Sequence, residues 1–572
     1  MAWPQHKGAG PRSPAQRSNC LEHTPRAFTP PSPSWPVPPP PRIEPSTLAA
    51  RPGEYENTAI PSQQECSSVS FLSHIQYTTV TSQPITAFGN SLGARPRPPP
   101  LCPSSCTQCV YTGARDKMGR DTLSLFLFLT LLSASSLHGA KDGDEGKETW
   151  GYVNVRPGAH MFFWLYYTTS TTEYIHRPLV MWLQGGPGAS STGIGNFLEI
   201  GPKTADLKNR TYAWTKEVNV LFVDNPVGTG FSYVQDLKLL PTNNSVIAAD
   251  LVTFMAGFFK KVPEFETVPL YIFTESYGGK MGARFAQALS KAVQQKKVRC
   301  QLAGLVMGDS WISPVDAVMS WGPYLYATSL VDSAGEGAID NKTAEVAAAV
   351  KNGKMADSTK LWAEAEGLVE TVTNGVNFYN ILKTPARGNA SVHHNHVLSV
   401  MASRNTYRLK SPELEYLYNH HVGLLSKDLS KLMNGPIRDK LKVIPVNITW
   451  GGQSKHVFEA LSEDFMNPVV KNVEMLLNTT SLKVVVYNGQ LDLIVSTPGA
   501  QKWVENMHWA GTKQWVQSSR KPMVDSDGGT VAFSKSFKNF TFYWILDAGH
   551  MVPLDAGDVA MRVMEEIVGT KK

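Results

Sequence analysis

The segment Tyr271-Ile-Phe-Thr-Glu-Ser-Tyr-Gly-Gly279 reads as a strand that breaks sharply into a helix from about Lys280. A serine at such a break is lifted to the edge of a sheet, and the tight turn needs small neighbours. The usual pattern is G-x-S-x-G; here Thr274 stands in the first glycine position. A serine hydroxyl is a weak nucleophile until a base takes its proton and a third group orients that base. Both follow along the chain. Val484-Val-Val-Tyr-Asn-Gly-Gln-Leu-Asp492 runs from a strand pattern into a carboxylate, and Phe542-Tyr-Trp-Ile-Leu-Asp-Ala-Gly-His550 runs from the next into a histidine. Ser276, Asp492 and His550 are the residue types that attack a carbonyl carbon, move the proton and hold the base. A fourth segment, Leu179-Val-Met-Trp-Leu-Gln-Gly-Gly-Pro-Gly188, places consecutive glycines after a strand, where backbone N–H groups approach a ligand closely. The expected donors to an oxyanion are the N–H groups of Gly186 and Tyr277. Alone, each segment has an ordinary explanation as a turn. Together and in order they do not.

These residues need a scaffold that brings strand ends together. From about residue 149, short apolar runs alternate with helical patterns. The strand candidates are Leu179–Leu183, Val218–Val223, Pro269–Phe273, Leu302–Met307, Lys483–Tyr487 and Phe542–Leu546. They are apolar on both faces, as central strands covered by helices on each side must be. The reading is an α/β-hydrolase fold: a mostly parallel central sheet, helices on both faces, and triad residues in the chain order Ser, Asp, His. The stretch of about 320–440 breaks the rhythm with helical patterns at Thr343–Gly367 and Pro412–Leu432, and is expected to form an inserted helical cap.

The strings Trp182-Leu-Gln-Gly-Gly-Pro-Gly-Ala-Ser-Ser191, Val223-Asp-Asn-Pro-Val-Gly-Thr-Gly-Phe-Ser-Tyr233, Glu275-Ser-Tyr-Gly278 and Ala548-Gly-His-Met-Val-Pro553 resemble the serine carboxypeptidases, peptidase family S10. The resemblance spans about residues 145–568. It implies an exopeptidase that removes one residue from the free C-terminus of a peptide or protein at acidic pH, through an acyl-enzyme and without metal or organic cofactor. It also implies that Gln184, Glu275 and Glu199 hold the substrate's terminal carboxylate, the two glutamates sharing a proton. Three positions depart from the family pattern: Gln184 for Asn, Ala189 for Cys and Thr274 for Gly. An acyltransferase with the same covalent intermediate, and a non-catalytic secreted binding protein on the same scaffold, are the competing functions.

Of 572 residues, 42% are hydrophobic and 18% charged, an ordinary globular composition. The net charge of +6 is uneven: residues 1–117 hold 10 Lys/Arg against 6 Asp/Glu, and the rest is almost neutral. That near-neutral body carries no electrostatic footprint for nucleic acid. Residues 1–117 also hold 21 of the 39 prolines and five of the six cysteines. This stretch is expected to be disordered and to be upstream sequence foreign to the native protein. Cys102, Cys106 and Cys109 lack the setting of a metal site. Met118 then opens the pattern of a signal peptide over 118–140, whose ten-residue apolar run from Leu123 is too short to anchor in a membrane. Seven Asn-x-Ser/Thr sequons, at Asn209, Asn243, Asn341, Asn389, Asn447, Asn478 and Asn539, all follow it. Their one-sided placement predicts a glycosylated protein, secreted or lysosomal. His393-His-Asn-His396 lies beside Asn389 and reads as a solvated loop, not a metal site.

Overall fold

The computed structural model describes residues 138–139, 146–383 and 427–570. The Pro-rich extension, the signal pattern up to Leu137, Asn389 and the His393–His396 cluster lie outside the described residues. The body is built on one 12-stranded sheet. Its longer strands are β1 (Glu148–Arg156), β2 (Ala159–Tyr166), β3 (Leu179–Leu183), β4 (Asn219–Val223), β5 (Pro269–Glu275), β6 (Gln301–Gly308), β7 (Lys483–Gly489), β8 (Lys521–Val524), β9 (Thr530–Phe537) and β10 (Phe540–Ile545). The spatial order is β1-β2-β4-β3-β5-β6-β7-β10-β9-β8, with His138–Gly139 beyond β1 and Tyr233–Val234 paired to β2.

The six strands anticipated from apolar runs are the six central ones, β4, β3, β5, β6, β7 and β10. Every pairing among them is parallel. Their side chains divide by parity between two cores. Leu179, Met181 and Leu183 of β3 face one core; Val180 and Trp182 face the other. In β7, Val484 and Val486 oppose Val485 and Tyr487 in the same way. Apolar residues at consecutive positions are therefore a consequence of burial on both faces.

The flanking antiparallel strands β1, β2, β8 and β9 were not anticipated. In β9, the sequence Thr-Val-Ala-Phe-Ser-Lys-Ser-Phe is mostly half-exposed and lacks a continuous apolar run. β2 is almost entirely buried, but it is joined to β1 by a two-residue turn and so belongs to a hairpin, outside the strand–helix rhythm.

Helices α1 (Asn244–Lys261) and α2 (Tyr277–Gln294) pack on the first core, and the C-terminal helix, Gly557–Val568, on the second. Asn243 starts α1 by accepting the N–H groups of Ser245 and Val246, a normal N-cap. Between β6 and β7 the described residues contain helices and no strand. The helical pattern at Thr343–Gly367 proves to span parts of two helices, α3 (Ser333–Lys351) and α4 (Met355–Thr373), separated by residues 352–354. Of Pro412–Leu432, only Lys427–Leu432 is described, and it is helical. No helix among the described residues is long and apolar enough to cross a membrane.

Candidate active site

Ser276 occupies the single residue between β5 and α2, at φ 59° and ψ −130°. That is strained backbone for a residue with a Cβ, and it persists only where the surroundings over-determine it. Here they do. The Ser276 N–H donates to Gly308 O at 3.1 Å, while its carbonyl accepts from Gly279 at 3.0 Å and Trp311 at 2.9 Å. The Gln184-Gly-Gly turn closes over the same point: a Cβ on Gly185 would stand 2.6 Å from Ser276 Cβ and 2.8 Å from Tyr277 N. Glycine is what lets that turn reach the nucleophile. Gly186 follows at φ 103°, beside Ala189 and the Gln453 side chain.

Asp492 and His550 come from loops after β7 and β10, neighbouring parallel strands, so their 58-residue separation collapses to a hydrogen bond. His550 Nδ1 meets Asp492 Oδ2 at 2.8 Å, with both side chains buried. Asp492 Oδ1 accepts the Val495 N–H at 3.1 Å. Tyr379 holds His550 from the other side: the His550 backbone N–H donates to Tyr379 O at 2.7 Å, and the Tyr379 ring stands edge-on to the imidazole at 4.9 Å. Burial lowers the His550 pKa, with Asp309, Glu199 and Asp555 pulling it back up. A neutral imidazole at rest is the form that accepts a proton from serine.

Next to Ser276 lies a second buried set. Gln184 donates from Nε2 to Glu275 Oε1 at 2.6 Å and accepts the Trp182 indole N–H at 2.7 Å. Glu199, from the wide-turned helix Ser191–Ile200, is 1% exposed and Glu275 2%. Neither oxygen of Glu199, nor Oε2 of Glu275, meets an aligned donor among the described residues. Burial first, then the Glu199 charge, push the Glu275 carboxyl well above the usual range. Burial also raises Glu199, opposed by the neighbouring Glu275 and Gln184 side chains. Double ionisation of two buried neighbouring carboxyls is disfavoured, and Glu275 is the more strongly raised of the two. Asp492 acts electrostatically on Glu275 and His550 on Glu199, so both sets belong to one buried cluster.

Comparisons with known proteins fit this geometry. The serine carboxypeptidase model of peptidase family S10 matches residues 139–570. The chain belongs to the serine carboxypeptidase family. Retinoid-inducible serine carboxypeptidase of Homo sapiens is 48% identical over 427 residues, covering 74% of this chain and 91% of that protein. Serine carboxypeptidase-like 51 of Arabidopsis thaliana is 39% identical over 457 residues, covering 77% and 96%. Among solved structures, the prohormone-processing carboxypeptidase Kex1 of Saccharomyces cerevisiae superposes with a TM-score of 0.62 at 21% identity, covering 74% of this chain and 91% of that one, a likeness of fold. The protein is a serine carboxypeptidase with an α/β-hydrolase fold.

As a serine carboxypeptidase it accommodates its departures locally. Thr274 is fully buried, donates to Val306 O at 3.0 Å, and its methyl lies where a Cβ on Gly282 would fall, at 2.5 Å. Gly282, on the facing turn of α2, makes the room that the missing elbow glycine would otherwise supply. Ala189 packs in the second core and bridges to Gln453.

Sequence reasoning missed three contributors. Asp555 holds the histidine loop by accepting the Gly549 N–H at 2.9 Å and the Asn380 amide at 2.8 Å. Asp464 accepts the Tyr277 hydroxyl at 3.0 Å and lies 3.6 Å from the buried Lys280 ammonium. Asp309 faces Asp492 and His550. Asp309 alone left a signal, a carboxylate immediately beyond a central strand.

Proposed function

We propose that this carboxypeptidase releases single amino acids from free C-termini of peptides through an acyl-enzyme, with greatest activity at acidic pH. Ser276 Oγ attacks the scissile carbonyl while His550 Nε2 takes its proton, then passes it to the departing amine. Asp492 holds His550 in the tautomer with Nδ1–H and stabilises the imidazolium that forms. The N–H groups of Gly186 and Tyr277 receive the oxyanion, each contributing roughly 3–4 kcal/mol at the transition state. Water then attacks the acyl-serine while His550 takes a proton from it, and as the acyl–Oγ bond breaks His550 delivers that proton to Ser276 Oγ, releasing the new carboxylate. Every step uses protein groups and water alone.

The observation that carries this reading is the buried carboxyl pair Glu275–Glu199 beside Ser276, both raised above the usual range. A protonated Glu275 and the second N–H of Gln184 are donors suited to a terminal carboxylate. An endopeptidase or esterase has no use for them. As pH rises the pair loses its proton and attraction becomes repulsion, which gives an acidic optimum.

The test is an N-blocked dipeptide with a free acid against its C-terminal amide at about pH 5, with Ser276→Ala as control. Cleavage of the acid alone, abolished in the variant, is expected. Equal cleavage of the amide would remove the carboxylate-capture roles; silence on both with no phosphonate labelling of Ser276 would remove the triad roles.

The same reading places the protein in the secretory pathway, secreted or lysosomal, with residues 118–140 as the signal peptide and residues 1–117 absent from the native product. N-terminal sequencing of the native protein is expected to start after residue 140; a peptide from 1–117 would overturn this.

A further inference from the structure

Behind His550 stands a second buried aspartate that the reaction just described does not use. Asp309 directly follows β6 and has 0% exposure. Its backbone is left-handed at φ 43° and anchored by its N–H to Tyr487 O at 2.9 Å. Oδ1 accepts the Gly489 N–H at 2.8 Å, at the end of β7 and three residues before Asp492. Oδ2 is buried and meets no aligned donor among the described residues. A carboxylate oxygen of Asp309, one of Asp492 and a ring nitrogen of His550 all lie within 4.8 Å of one another.

Two carboxyls this close in a dry setting do not both ionise, because each charge would oppose the other without solvent to screen it. Among the described residues, no lysine or arginine is a leading influence on Asp309 or Asp492; Arg210 acts on Glu199. Tyr487 lies beside Asp309 from β7, Glu275 and Glu199 lie toward the nucleophile, Asp555 acts on His550 and Asp492, and Tyr324 feels Asp492. His550 is the one ionisable base in the set, and burial disfavours its charge. Burial, then the Asp492 charge, drives Asp309 well above the usual carboxylate range; burial drives Asp492 upward too, but there the Val495 N–H and Asp309 itself oppose the rise.

We propose that Asp309 is a positioning residue that keeps the single proton shared with Asp492 and donates it to that carboxylate, leaving one negative charge to orient His550. This rests on the triad roles given above. No covalent bond changes; the proton stays on Asp309 Oδ2 through the cycle. Its donation settles the Asp492 rotamer and removes a second charge that would pull His550 away from Ser276.

The experiment compares the full protein with Asp309→Asn and Asp309→Ala. The readout is the rate of Ser276 phosphonylation by diisopropyl fluorophosphate across pH, which requires Ser276 and His550 but no substrate carboxylate. The alanine variant is expected to react about tenfold or more slowly, the scale of one lost hydrogen bond to a charged group. The asparagine variant keeps a donor that cannot titrate, so it is expected to recover to within roughly threefold of wild type and to extend the alkaline limb upward. Infrared difference spectra of wild type against the asparagine variant are expected to lose one protonated-carboxyl C=O band, a readout that stands even if the alanine variant fails to fold. Equal impairment of both variants, an unmoved alkaline limb, or no band lost would overturn the shared proton. Loss of labelling on EDTA treatment would do so too, marking the cluster as a cation site. Wild type that is unreactive at every pH would instead bring down the triad reading itself.

Discussion

In the proposed reaction Glu275 and Ser276 are consecutive residues with opposite requirements: one keeps a proton, the other loses it. Glu275 is buried, and the neighbouring Glu199 charge helps to hold its carboxyl well above the usual range. Replacing Glu199 by Gln removes the second largest influence holding the Glu275 pKa up. Glu275 then ionises at lower pH and repels a substrate carboxylate. The expected result is a rise in KM for a free-acid substrate near neutral pH, about tenfold for each unit that the Glu275 pKa falls, with kcat changed far less. A pH series of both constants checks it; an equal fall in kcat would show that Glu199 serves the reacting atoms and not carboxylate capture. Gln184 belongs to the same scale. Its amide is already engaged on both sides by Trp182 and Glu275, so its extra methylene relative to Asn is held in one rotamer.

At the scale of elements, the β5–Ser276–α2 unit depends on contacts that no local pattern announces. Thr274 and Gly282 are eight residues apart, yet their packing decides whether helix α2 can lie against the strand that precedes it. Gly282→Ala is expected to destabilise by about 1–3 kcal/mol through overpacking, although alanine is the better helix former. Thr274→Gly in the same chain should recover part of that loss. Urea unfolding of the four members of this cycle measures the coupling, and strict additivity would refute the compensation. In the first turn of α2, Lys280 donates to the Asp464 and Phe465 carbonyls at 2.5 and 2.8 Å. Its fully buried ammonium is drawn down to about 7, burial outweighing Asp464. Together with the Tyr277–Asp464 bond, this ties the residue expected to donate to the oxyanion onto the chain segment around Phe465.

Over the whole molecule, the buried acids set how stability responds to pH. Glu275, Glu199 and Asp309 have folded values above their unfolded values near 4. Above pH ~4 the native state therefore binds more protons than the unfolded chain, and stability falls as pH rises toward the folded values. Lys280 works in the other sense: with a folded value of about 7 against 10.5 unfolded, it restores stability only above pH ~7. The urea midpoint is expected to be higher at pH 5 than at pH 7, and a Glu199→Gln, Asp309→Asn double variant should flatten that slope. A steeper slope in the variant would contradict it. The surface offers a separate check. Asn209, Asn341, Asn447 and Asn478 are exposed, whereas the Asn539 amide is half-buried and donates to the Thr480 and Leu482 carbonyls. Glycopeptide mass spectrometry is expected to find Asn539 unmodified and at least one of the exposed sites occupied; a glycan on Asn539 would mean those two bonds are dispensable.

The six parallel strands were legible because burial on both faces demands unbroken apolar runs, and a run is a property of neighbours in sequence. The same holds for the elbow: a strand, a strained residue and a helix start are contiguous, as are a strand and the aspartate or histidine that follows it. The hairpin strands left no such mark, because β9 meets solvent along much of its length and β2 turns straight back from β1. What the sequence determined by itself was therefore the set of parallel strands, the order Ser276, Asp492, His550, and the family those motifs belong to. Which side chains meet behind them was decided only by tertiary structure. Asp309 meets Asp492 from the end of the neighbouring strand, Asp464 reaches Tyr277 from 187 residues away, and Gly282 yields to Thr274 across a turn. Proton sharing and steric compensation are short-range forces between atoms, and nothing in linear order encodes a distance of a few ångströms between residues so far apart along the chain.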